Sequence, residues 1–170
     1  MPNWLVPERI YDVPRNIAFL DTNVLISLVD LDDRWHDQTV AALDMGEYRW
    51  AVMLGSLIEA WNFLVGRVRR RKQLAYDLMS WVLTPGNAIL IGDAVEPVST
   101  AHLYSQRYEI DIVDASLIDL ADRVSKACEL NPAVHVATYD TRDFLRLFGV
   151  SGLSFHVYDM KDTSSTRARF

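Results

Sequence analysis

The chain has little of what several protein classes require. Its 170 residues include a single cysteine, Cys128, which excludes an internal disulfide framework and a cysteine-based zinc site. No apolar run approaches the roughly 18 residues of a membrane span. The opening Met1-Pro2-Asn3-Trp4-Leu5-Val6-Pro7-Glu8 lacks the basic start and apolar stretch of a secretory leader. Basic residues are outnumbered, 17 Lys and Arg against 23 Asp and Glu, for a net charge of −6. A general nucleic-acid-binding coat is therefore missing. Glycine–serine linkers and internal repeats are missing too. Hydrophobic residues make up 50% of the chain, which excludes a disordered acidic tail. One domain burying roughly 70% of its unfolded surface is expected at this length, in a soluble, cytoplasmic protein.

Pro2, Pro7 and Pro14 mark residues 1–15 as an extended arm, leaving a domain over 16–160 and a tail over 161–170. Within the domain, short apolar runs predict buried strands at 17–20, 50–54, 88–91, 134–138 and 155–158. Helical patterns separate them, at 23–30, 36–45, 56–67, 72–83, from Glu96-Pro97 onward, at 112–128 and at 141–148. In the clearest helix, Val113, Leu117, Leu120, Ala121 and Val124 form one apolar stripe. Strands alternating with helices predict a three-layer α/β/α sandwich around a parallel sheet. Such strands are continuously apolar because both faces are covered. Sites in these folds form beyond the carboxyl ends of the strands.

Carboxylates stand at those ends. The first run stops at Asp21, followed by Thr22 and Asn23; another passes Thr138 and stops at Asp140. Each aspartate could simply cap the next helix, but adjacent parallel strands would bring both to one place. Glu59 lies in a helix apolar nearly all round, which predicts burial, where a lone carboxylate is costly unless paired or metal-bound. Asp111 and Asp114 share a face at the start of the 112–128 helix, where negative charge is favoured in any case. Asp119 and Asp122, turned away or two turns on, read as solvated charges. Carboxylates gathered without basic neighbours suit a hard divalent cation, Mg²⁺ or Mn²⁺, able to act on phosphoryl groups. Arg67, Arg69, Arg70, Arg71 and Lys72 form the one dense basic run, either a solvated helix end or a site for a polyanion. His36, His102, His135 and His156 are scattered and read as packed or surface residues. Trp50, Trp61 and Trp81 read as core, and Cys128 as a small hydrophobe near a helix end.

These residues together resemble the PIN-domain nucleases, and within them the VapC-type toxins. The resemblance rests on Asp21-Thr22-Asn23-Val24-Leu25-Ile26 after a strand, Ser56 and Glu59 at the next helix, and Val113-Asp114-Ala115-Ser116. It rests also on Thr138-Tyr139-Asp140-Thr141-Arg142-Asp143-Phe144, and Arg34-Trp35-His36 adds an aromatic–histidine step. It covers about residues 17–158. What it implies is a metal-dependent ribonuclease with catalytic Asp21, Glu59, Asp114 and Asp140. The metal would sit on Asp21, Asp114 and Asp140, with Asp143 as an accessory acid. Asp111 has no counterpart to carry over. The resemblance also implies an RNA substrate, a homodimer and a cognate antitoxin. The Pro-rich arm, acidic balance and greater length depart from the compact toxin pattern. Two other readings compete: a non-catalytic PIN-like module that binds RNA or protein, and a haloacid-dehalogenase-like phosphatase. The phosphatase needs a second aspartate where this chain has Asn23.

Overall fold

The computed structural model describes residues 16–67, 71–92, 95–127, 133–147, 150 and 152–162. The arm over 1–15 and Cys128 lie outside the described residues. The elements run β1 (Ile17–Leu20), α1 (Thr22–Val29), α2 (His36–Asp44), β2 (Arg49–Met53), α3 (Leu54–Arg67), α4 (Lys72–Leu83) and β3 (Ile89–Ile91). They continue α5 (Val95–Tyr108), α6 (Ile112–Ala127), β4 (Val134–Thr138), α7 (Thr141–Leu147) and β5 (His156–Asp159).

The five strands form one sheet in the order β3-β2-β1-β4-β5. Every neighbouring pair is parallel. Strand side chains alternate between faces, and each face has its own core. Ile17, Phe19, Ala51, Met53, Val134 and Val136 pack with α5, α6 and α7 through residues such as Ala101, Leu117, Ile118 and Phe144. Ala18, Leu20, Trp50, Val52 and Ala137 pack with α1, α3 and α4 through Val24, Leu25, Leu57, Leu64 and Leu78. The expected three-layer sandwich is the observed one. Fully buried side chains such as Phe19 and Leu117 each contribute roughly 1.5–3 kcal/mol.

Three expectations need correction. Glu59 is exposed, not buried. Helix α3 turns Leu57, Ala60 and Leu64 to the sheet and leaves Ile58 and Glu59 outward, so one stripe of an apolar helix suffices for the core. Asp119 and Asp122 are not solvated; they are 3% and 4% exposed. Each is neutralised one turn on, Asp119 by Arg123 at 2.9 Å and Asp122 by Lys126 at 2.7 Å. Asp122 also accepts the Ser154 backbone N–H at 2.7 Å, and Lys126 donates to the Gly152 carbonyl. Helix α6 thereby fastens the approach to β5. Trp61 and Trp81 are half-buried beside the second core, whereas Trp50 is buried within it.

Candidate active site

Strands β1 and β4 are hydrogen-bonded neighbours, and the Asp21 backbone N–H donates to the Ala137 carbonyl. The two strand ends thus bring Asp21 and Asp140 together. Asp21 is both the N-cap of α1 and the best-held carboxylate of the group. Its Oδ1 accepts the Thr22 N–H at 2.6 Å, and its Oδ2 accepts Asn23 Nδ2 and Thr138 Oγ1, each at 2.7 Å. Thr138 Oγ1 in turn accepts the Asp140 N–H at 2.9 Å, and Asn23 Oδ1 accepts the Tyr139 N–H at 3.1 Å. One small network therefore fixes Asp21 and the backbone that carries Asp140.

The other acids arrive from two helices. Helix α3 brings Glu59, whose carboxylate accepts the Thr22 hydroxyl. Helix α6 brings Asp114 in its first turn. Asp21, Glu59, Asp114, Asp140 and Asp143 line one cleft of about 200 Å³, with Ile26 and Phe144 as its apolar wall. Ile26 and Phe144 each stand in a motif quoted above, but nothing in the sequence marks either as a cleft residue. Asp140 remains exposed and accepts the Arg142 N–H at 3.3 Å. Asp143 is drawn toward Arg142 and Arg146, each at 3.4 Å, which offsets part of its charge.

The remaining candidates are placed differently. Asp111 is exposed and caps α6, accepting the Val113 N–H at 2.8 Å; it does not line the cleft. Ser56 is fully buried one turn before Glu59, and its hydroxyl has no hydrogen-bond partner among the described residues. Of the basic run, Arg69 and Arg70 lie outside the described residues, and Arg67 ends α3. Arg71 is paired with Asp30, the buried residue that ends α1. Lys72 is exposed at the start of α4. Neither Arg71 nor Lys72 lines the cleft.

Burial, and after it the neighbouring carboxylates, raises the proton affinity of two of these groups. Burial pushes the Asp114 carboxyl up to about 8, and Asp21, Asp111, Glu59 and Asp143 add to the effect. Burial also raises Asp21 to about 6, against the hydrogen bonds from Thr138, Thr22 and Asn23, with Glu59 adding repulsion. The cleft by itself does not hold all its negative charge at neutral pH. Its donors are carboxylate oxygens without sulfur or imidazole, the set that suits a hard divalent cation. Among the described residues, no three such side chains already converge as a ligand set. The fit to such an ion lies in donor chemistry and charge.

No protein-family model matches the sequence, and no curated protein matches it significantly. Solved structures do match the fold. The VapC20 sarcin–ricin-loop-cleaving toxin of Mycobacterium tuberculosis is 14% identical with a TM-score of 0.63, covering 76% of this chain and 94% of that one. DNA-bound VapBC of Salmonella typhimurium is 11% identical with a TM-score of 0.60, covering 85% and 98%. A toxin–antitoxin complex from Klebsiella pneumoniae is 19% identical with a TM-score of 0.55, covering 84% and 97%. The chain has the PIN-like fold of VapC-type toxins.

Proposed function

We propose that the chain is a divalent-metal-dependent endoribonuclease, the toxin of a toxin–antitoxin pair. The observation that carries this reading is the meeting of Asp21, Glu59, Asp114 and Asp140, from four separate chain positions, in one cleft. Support for the substrate and partner comes from the fold: structures that share it include a sarcin–ricin-loop-cleaving toxin and toxin–antitoxin complexes. Four acids in the cleft favour catalysis over a binding-only module. Asn23 holds Asp21 where the phosphatase reading needs a second carboxylate.

Asp21, Asp114 and Asp140 would hold Mg²⁺ or Mn²⁺. The bound ion supplies positive charge at the scissile phosphate and lowers the pKa of a water molecule. Asn23 and Thr138 keep Asp21 in one orientation, so little ordering is left for the moment of binding. Glu59 is an exposed carboxylate lining the cleft, oriented by the Thr22 hydroxyl, and would accept the proton of an attacking water. Ile26 and Phe144 bound the cleft with apolar surface.

The test is cleavage of purified ribosomal RNA by the full chain. Cutting is expected with Mg²⁺ or Mn²⁺ and none with EDTA. Asp21→Asn should slow it by roughly 10- to 100-fold or more, the scale of losing a group that supports a metal. Cutting at the wild-type rate by Asp21→Asn, or in EDTA, would contradict the proposal.

A further inference from the structure

A second hollow, of about 440 Å³, opens beside the carboxylate cleft. Asn23 and Asp140 line both, so the two adjoin. Unlike the cleft, the hollow carries cations, two of them against the carboxylates of Asp33 and Asp140. Arg34 and Lys161 stand on its walls with Trp35 and Tyr139. Both cations are exposed, and among the described residues neither forms an ion pair. Asp33 also lines the hollow, and its carboxylate is engaged by the Trp35 backbone N–H at 2.8 Å. Lys161 falls in what the sequence suggests is a tail; it stands two residues after the end of β5 and lines this wall.

Arg34 is held rather than loose. Trp35 stacks on Tyr139 with ring centroids 5.0 Å apart and 12° between planes. The Arg34 guanidinium carbon lies over the Trp35 ring, 4.8 Å from its centroid. Tyr139 is buried, and its hydroxyl is 2.7 Å from Thr39 Oγ1. The stack is thus rooted in the core and carries a cation at its outer end. A guanidinium stacked on an aromatic face still has N–H donors at its edge, and their fork matches a phosphate.

We propose that this hollow is the adjoining phosphate subsite of the nuclease, with Arg34 and Lys161 gripping single-stranded RNA next to the scissile linkage. The proposal rests on the ribonuclease reading above. A strand whose scissile phosphate enters the acidic cleft must continue past it. Toward Asn23 and Asp140, the neighbouring phosphates meet these two cations. They offset locally the repulsion that a chain of net charge −6 exerts on a polyanion. Arg71, paired with Asp30, is less free to do so.

The test is the salt dependence of binding. A fluorescent single-stranded RNA of about twelve nucleotides is titrated with the full chain in Ca²⁺ buffer, from about 50 to 200 mM KCl. Each lost phosphate contact flattens the log–log slope by about 0.7 for single strands. The double variant Arg34→Ala/Lys161→Ala should flatten it by about 1.4, so that over this range the wild type loses about sevenfold more affinity than the variant. Arg34→Lys should keep most of the slope while binding more weakly, because the charge stays and the fork goes. Arg107→Ala, on α5 beside Tyr108, should match the wild type. Thermal unfolding of each variant establishes that it is folded. A double variant with the wild-type slope overturns the proposal, as does a wild type that binds no RNA. Cleavage is scored separately with Mn²⁺. Cleavage with an unchanged slope sinks the subsite alone; a flattened slope without cleavage sinks the hydrolytic reading and leaves the RNA groove.

Discussion

At the scale of single residues, the cleft is a stability cost carried in the metal-free chain. The Asp114 carboxyl titrates near 3.8 in the unfolded chain and near 8 in the folded one. Between those values the folded state holds the extra proton, so stability falls as pH rises. Asp21, raised to about 6, acts with the same sign at lower pH. His135 acts with the opposite sign: burial, helped by His156, lowers it to about 4, so it favours the folded state above about 6.5 and loses that contribution as pH falls. Between about pH 7 and 8, Asp114 alone of these three is still titrating. Asp114→Asn in EDTA should therefore raise Tm near pH 8, where water at the cleft mouth leaves a gain on the order of 1 kcal/mol, about 2–4 °C. It should also remove the fall in Tm over that interval. A melting temperature that drops in the variant would show that the Asp114 charge is not strained. Asp21 and Asp140 were legible because each ends a strand and Glu59 because it interrupts an apolar helix; Asp114, at a helix start where acids are common, came forward through the family resemblance. The partners that hold them were less so: the Thr22 hydroxyl on Glu59 joins residues far apart in the chain.

At the scale of elements, all five strands stood out as short apolar runs; β1 to β4 are buried almost throughout and leave no polar alternation, whereas the edge strand β5 is half-buried along its length. Ends shifted by a residue or two. Helix α3 starts at Leu54, directly after β2, rather than at 56. Glu59 and the pair Asp119 and Asp122 were misplaced for opposite reasons. In α3, apolar composition overstated how much of the surface is covered. In α6, charge understated it, although Asp119 with Arg123 and Asp122 with Lys126 are four apart and so share a face. Asp122 has a structural role that follows from its contacts. Asp122→Ala removes the Lys126 pair and leaves the Ser154 N–H without its acceptor. The expected cost is about 2–3 kcal/mol in urea unfolding. Asp122→Asn can keep the Ser154 bond and should cost less. A loss below about 0.5 kcal/mol in the alanine variant would remove the anchoring role.

At the scale of the whole molecule, the parallel sheet does the gathering. Asp21 and Asp140 come from adjacent strand ends, while α3 and α6, from opposite layers, bring Glu59 and Asp114 to the same end. No local pattern states that convergence; only the strand order does. The charge layout was legible in part. The sequence marked the run from Arg67 to Lys72 as the dense basic segment, yet Arg71 is paired with Asp30. Isolated Arg34 and Lys161 were invisible as a pair until β5 and the α1–α2 connection were placed side by side. The most direct measurement of the central claim is Mn²⁺ binding to the full chain, followed by electron paramagnetic resonance. The wild type should show saturable binding that Asp21→Asn and Asp114→Asn each weaken by roughly tenfold or more, while Asp111→Asn, outside the cleft, changes it little. Equal Mn²⁺ affinity in the wild type and in both cleft variants would contradict it.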